Sequence, residues 1–339
     1  MHKKSTINEI IHKLNLELQA TGKQLCCDEY RQLSLQTTNK IFLVGDYIFK
    51  NYTSEQAYQA ELSVYSNRSL FSFKTADIIS YYQDSNGEFW LIMDYIQGVT
   101  LSDYLLSNKL SSLDYQNCIR SVTESLGEFE SKASKLPDIG INKPNFSELI
   151  DPLFDLLEQR QYSTGIDSLK ISILKANEFI QNFPPVPYFD CSLRNIIVPQ
   201  SSLDKADIFN QLVYIDFDKS YRSTIIAEQL SHLLLDNSLR DYKEIIFLTY
   251  SQVCGIDLSL IEEVIPACIF IRSLSWLRYS LQWMRDFDNN HEAKTVINMA
   301  RSALIGALNI LEDCSLSIGI SKTHKNSILC LLLTVYLKI

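Results

Sequence analysis

The sequence predicts an α+β chain of two lobes, a small antiparallel sheet carrying one helix and then a larger, mainly helical lobe. Three observations predict it. Between residues 31 and 96, short β-branched and aromatic runs alternate with turn residues and are broken by a single helical stretch. After Gly98 the apolar residues recur at helical spacing. Within that helical part, two short strands reappear around Asn195–Val198 and Leu212–Ile215.

Residues 5 to 30 place Ile7, Ile10, Ile11, Leu14, Leu16 and Leu18 at near-helical intervals, which predicts an N-terminal helical extension over 1–30. The sheet-rich lobe, 31–96, opens with Ile41–Val44 and Tyr47–Lys50 as strands joined by Gly45-Asp46, where glycine tolerates a positive φ. Ser54 is placed to cap a helix running to about Arg68, with Glu55 in its first turn. Ala76–Tyr82 and Glu88–Tyr95 form a second hairpin across Asp84-Ser85-Asn86-Gly87.

The helical lobe, 97–339, reads as helices over Leu101–Leu106, Ser112–Ser134, Phe146–Arg160 and Ile166–Phe183, and again from Ile225 onward. A proline cluster at 184–187 stiffens one approach loop.

Length and composition bound the function. The chain has 339 residues, 46% hydrophobic, enough to bury a full core, so disordered and fibrous classes are excluded. Its formal charge of −9 repels nucleic acid and anionic membrane surfaces and suits a cationic or neutral partner. No secretory signal pattern follows Met1, so a cytoplasmic protein is expected. The longest apolar run, Ile328–Ile339, is shorter than the roughly 20 residues that cross a bilayer, and a buried terminal helix is expected there instead. Eight cysteines lack C-x-x-C spacing, which points to reduced thiols without zinc.

Four features fall in an order that suits phosphoryl transfer. Lys50, ending a strand, can neutralise nucleotide phosphates, and Glu61 on the next helix can hold it as an ion pair. Leu91–Gly98 leaves a buried strand and can offer backbone groups to an adenine edge. Asp190 is followed five residues later by Asn195, entering a strand. A second strand ends in Asp216-Phe217-Asp218. Carboxylate and amide oxygens suit Mg2+, which places the metal on Asn195 and Asp216 and leaves Asp190 to orient an attacking hydroxyl. The plainer alternative is that these residues make turns and cap a hairpin.

Taken together, Leu33 to Leu235 resembles the aminoglycoside phosphotransferase and choline kinase family of the protein-kinase-like fold. The resemblance implies that Thr38 and Asn39 belong to a phosphate-binding segment, that Lys50 and Glu61 form the family's ion pair, and that Met93, Asp94 and Ile96 make a hinge whose backbone meets the purine. It also implies Asp190 as catalytic base, Asn195 and Asp216 as metal ligands, ATP or GTP with Mg2+ as cofactors, and a small-molecule hydroxyl substrate of aminoglycoside, amino-alcohol or sugar type.

The chain departs from the family pattern at three points. Tyr188-Phe189 replaces the usual His-Gly before Asp190, and the phenylalanine is expected to narrow the approach to that acid. Ser192 stands where a histidine is common, leaving Arg194 as the nearest cation for a transferring phosphate. No Gly-rich loop is visible, so the phosphate clamp falls to the backbone of Gln36–Lys40. A catalytically silent pseudokinase acting as a ligand- or partner-binding module is the alternative function. A protein kinase is disfavoured because no Ala-Pro-Glu-type segment follows Asp218. Arg272, Trp276, Tyr279 and Trp283 share one helix face, where core packing accounts for them as well as a substrate pocket does.

Overall fold

A computed structural model describes residues 7–13, 15, 30–34, 39–84, 86–142, 144, 146–162, 165–203, 207–235, 239–286, 301, 305, 308 and 321–338. The fold is α+β, with an antiparallel sheet in the N-terminal part and a mostly helical remainder. It divides into two compact units. One comprises Met1–Asp114, Ser131–Gly140 and Pro187–Arg222, and the other Tyr115–Glu130, Ile141–Val186 and Ser223–Ile339.

In the first unit, residues 7–13 form helix α1, whose Ile7, Ile10 and Ile11 are buried against Phe42, Val44, Phe49, Trp90 and Ile92. The rest of the expected N-terminal extension lies outside the described residues, apart from residue 15 and residue 30, which begins a strand. That strand, β1 (Tyr30–Ser34), was not expected; it pairs antiparallel with β2 (Lys40–Val44) through a register shift between Gln32 and Ser34. The predicted first hairpin is β2 with β3 (Tyr47–Tyr52), closed at Val44↔Tyr47 with Gly45 at φ 58°.

Helix α2 (Glu55–Ser66) begins where predicted, the Ser54 hydroxyl accepting from the Ala57 amide. After the short β4 (Lys74–Thr75) come β5 (Ile78–Gln83) and β6 (Phe89–Asp94). Their turn is organised by Asp84, whose carboxylate accepts from the Asn86 and Glu88 amides, each at 2.9 Å. The five-stranded order β1-β2-β3-β6-β5 places β3 centrally, with Lys50 opposite Ile41 on one side and Leu91 on the other.

A second sheet in this unit joins four short strands. Its order is β4, β10, β9, β7: β7 (Gly98–Thr100), β9 (Ile196–Pro199) and β10 (Val213–Tyr214), with β4 parallel to β10. Gly98 is required here, because a Cβ would run into the Val198 carbonyl as β7 pairs with β9. Thr100 caps helix α3 (Leu101–Ser107). Separately, β8 (Pro185–Pro187) and β11 (Ser223–Ile225) form a two-stranded sheet, so the helical pattern expected from Ile225 starts slightly later.

The second unit is helical. Helix α4 (Ser112–Ala133), most of which belongs to it, starts on a capping box between Ser111 and Asp114. It is followed by α5 (Phe146–Gln159), α6 (Ile166–Ile180), α7 (Leu230–Leu235) and α8 (Lys243–Cys254). The 29-residue α9 (Leu258–Asp286) packs with α5, α6, α7 and α8. Helix α10 (Lys322–Lys338) buries Ile328, Leu331, Leu332 and Val335, as expected for the terminal apolar run. No described helix is long and apolar enough to cross a membrane.

Arg272, on α9, is used internally: its guanidinium donates to Glu228, which also accepts from the Thr224 hydroxyl at 2.8 Å. Tyr279 is exposed, and the side chain of Trp283, the fourth residue of that face, lies outside the described residues. The described cysteines are free thiols.

Candidate functional site

The candidate site lies wholly within the first unit and centres on Lys50. Its position in the middle of the sheet buries the ammonium to 4% exposure, an arrangement tolerable only with counter-charges. Its Nζ lies 2.6 Å from Glu61 Oε2, 2.5 Å from Asp216 Oδ1 and 3.7 Å from Asp218 Oδ2. Burial alone would lower the lysine pKa, but Asp216, Glu61 and Asp218 outweigh it and the net shift is upward. Glu61, on the buried face of α2, also accepts from the Tyr52 hydroxyl at 2.6 Å. The predicted ion pair between Lys50 and Glu61 is therefore formed.

Asp216 adopts φ 68°, the left-handed region that non-glycine residues enter rarely and mostly as Asp or Asn. The turn that follows sends consecutive polar residues to different partners. Asp216 meets Lys50, Asp218 accepts from Asn39 Nδ2 at 2.5 Å, and Lys219 Nζ donates to Asp190 Oδ2 at 2.8 Å. Burial raises the Asp218 carboxyl to about 7, opposed by Lys50 and reinforced by Asp216 and Glu61. Its Oδ1 is buried with no protein partner, as is Glu61 Oε1.

Asn195 Nδ2 donates to the Asp190 carbonyl at 3.1 Å, and the Asn195 carbonyl accepts from the Ile215 amide at 3.0 Å. These bonds tie the Asp190 loop to the strand that ends at Asp216. Phe189 does not narrow the approach to Asp190 as its position suggested. The ring is fully buried, stacked on Phe217 at 5.1 Å and 12°, with Phe73 and Tyr214 beside it. The cause is the sequence itself, which supplies aromatic partners at 73, 214 and 217.

The other expected residues fall as follows. Asn39 is buried, with its amide held by Asp218 and by the Thr53 amide at 3.4 Å. Thr38 lies outside the described residues, as does most of the Gln36–Lys40 segment. Met93 is buried in β6, while the Asp94 and Tyr95 amides bond the carbonyls of Asp77 and Asp46. Ile96 is half-buried and borders a cavity of about 610 Å3 with Tyr95, Gln97, Lys74 and Val213. Neither Lys50 nor Asp190 lines that cavity. Arg194 is exposed, and Lys219 is the cation seen on Asp190.

From the sequence, Asp218 stands only as the end of the Asp216-Phe217-Asp218 motif with no role of its own, and Lys219 is not singled out. The signal available was their place in Asp216-Phe217-Asp218-Lys219, directly after the second strand.

No protein-family model matches the chain, and no curated protein matches it in sequence. The fold, however, is similar to that of solved aminoglycoside phosphotransferases and a choline/ethanolamine kinase family protein. A GDP complex of aminoglycoside 2'-phosphotransferase-IIIa superposes with a TM-score of 0.58 at 14% identity, covering 89% of this chain and 99% of that one. A choline/ethanolamine kinase family protein from Mesorhizobium loti gives 0.59 at 12% identity, covering 93% and 98%. The streptomycin–ATP ternary complex of APH(2")-IIa gives 0.52 at 19% identity, covering 90% and 95%.

Proposed function

We propose that the chain is a nucleotide-dependent phosphotransferase that moves a terminal phosphoryl group to a hydroxyl of a small molecule. One observation carries the reading: a buried lysine held between Glu61 of a helix and Asp216 of a strand end, with Asp190 and Asn195 tied to the same strand end. Glu61, Asp216 and Asp218 set three carboxylates, at 1%, 33% and 13% exposure, against one ammonium, a net negative cluster that a further cation would balance.

The donor set fits magnesium. Asn195 and Asp216 offer hard oxygen ligands, and the unpartnered Asp218 Oδ1 is a third. Bound magnesium nucleotide would supply the phosphoryl group and neutralise its charge. Lys50 would meet the phosphates, and Asp190 would orient the acceptor hydroxyl and take its proton. Thr38, Asn39 and the backbone at Met93, Asp94 and Ile96 would complete the nucleotide contacts, and Arg194 stays an exposed cation on the same loop as Asp190. The neighbour complexes with GDP, ATP and streptomycin support a nucleotide donor and a polyhydroxylated, cationic acceptor, as does a net charge of −9.

Thermal unfolding with ATP or GTP, with and without magnesium, tests binding, since a ligand of the folded state raises its melting temperature. A screen of aminoglycosides, amino alcohols and sugars for nucleotide consumption tests transfer. No stabilisation at millimolar nucleotide would instead support a silent binding module.

A further inference from the structure

The kinase reading leaves Lys219 without a function. Its Nζ lies 2.8 Å from Asp190 Oδ2; the lysine side chain is 44% exposed and the aspartate 14%. Two features separate this pair from an ordinary surface salt bridge. Asp190 is largely desolvated, so its counter-charge is screened less than at an open surface. The lysine backbone is also fixed, in a turn where the Ser220 amide bonds the Phe217 carbonyl, the Arg222 amide bonds the Lys219 carbonyl, and the Ser220 carbonyl accepts from Gly140. A lysine on so constrained a turn loses less freedom in holding one partner.

We infer that Lys219 is a positioning residue for the phosphotransferase reaction, its ammonium fixing the rotation of the Asp190 carboxylate. The inference rests on the proposed function through Asp190 alone. Lys219 reaches Asp190 from the turn that begins at Asp216. Without the Lys219 ammonium the Asp190 carboxylate loses a contact that fixes its rotation.

The test compares wild type with Lys219→Met, Lys219→Gln and Lys219→Arg. For Lys219→Met, kcat is expected to fall at least about tenfold with nucleotide KM within about twofold. Lys219→Arg should restore most of the loss, which a merely structural role would not predict. Lys219→Gln serves if the methionine variant is poorly folded. A second readout needs no turnover: in a crystal structure of Lys219→Met the Asp190 carboxylate should leave the rotamer it holds in wild type. A carboxylate that keeps that rotamer overturns the inference, whatever the enzyme does. A displaced carboxylate together with an active Asp190→Asn enzyme would sink the base assignment instead, and leave the ion pair standing.

Discussion

Phe189 and Phe217 stack with ring centroids 5.1 Å apart and planes 12° from parallel, and each is the sequence neighbour of a site acid, Asp190 and Asp216. Tyr65, one turn along α2 from Glu61, meets Phe217 edge-on at 5.4 Å. One aromatic cluster therefore joins the segments that carry three carboxylates, from a helix, a loop and a strand end.

Replacing Phe189 by the glycine usual in the resembled family should therefore not open the site. Phe189→Gly or Phe189→Ala is expected to cost about 3–5 kcal/mol through the cavity left among Phe73, Tyr214 and Phe217. Urea unfolding measures the loss, and kcat should fall with it because Asp190 loses its support.

Among the described residues Lys50 is the cation that bridges Glu61 and Asp216, and its removal strands buried acid. Lys50→Met should destabilise by roughly 3–5 kcal/mol and reduce kcat/KM by on the order of 100-fold or more. Adding Glu61→Gln should recover stability without recovering activity. A double-mutant cycle read by chemical denaturation and turnover separates the two effects.

The second unit carries its own titratable centre. Glu130 is buried, accepts from Gln229 Nε2 at 2.5 Å and from the Tyr250 hydroxyl, and has its carboxyl pushed up to about 8. Burial is the main cause and the Glu228 charge adds to it, while the Tyr250 and Gln229 bonds oppose it. The folded state thus holds this proton more tightly than the unfolded chain. Stability is full below the unfolded pKa near 4.3 and declines as pH rises through about 8, by on the order of a few kcal/mol. In Glu130→Gln, melting temperatures between pH 5 and 9 should depend less on pH than in wild type.

Gly98→Val forces a side chain against the Val198 backbone. It should break the β7–β9 pairing and lower stability by about 2 kcal/mol or more, with proteolysis near residues 96–100 rising in parallel.

Much of the sheet and the chemistry of the ion pair was legible from local rules. Gly45 and Asp84–Gly87 dictate their hairpins, Ser54 its helix start, and Lys50 and Glu61 fall where those elements place them. Strand β1 was not legible, since Tyr30-Arg31-Gln32-Leu33-Ser34 is mostly polar and forms only by pairing with β2. Lys219 escaped notice because its partner lies 29 residues away and only tertiary folding joins them. Phe189 was misread for a related reason. A residue beside a catalytic acid looks like part of the opening until the aromatic partners that absorb it are known.

The loop from 216 to 219 serves Lys50, Asn39 and Asp190 in turn, each through a different side chain. One inserted or deleted residue would hand every downstream group to the wrong neighbour, whatever the chemistry of the new residue. The length of this loop is therefore more tightly constrained than its composition.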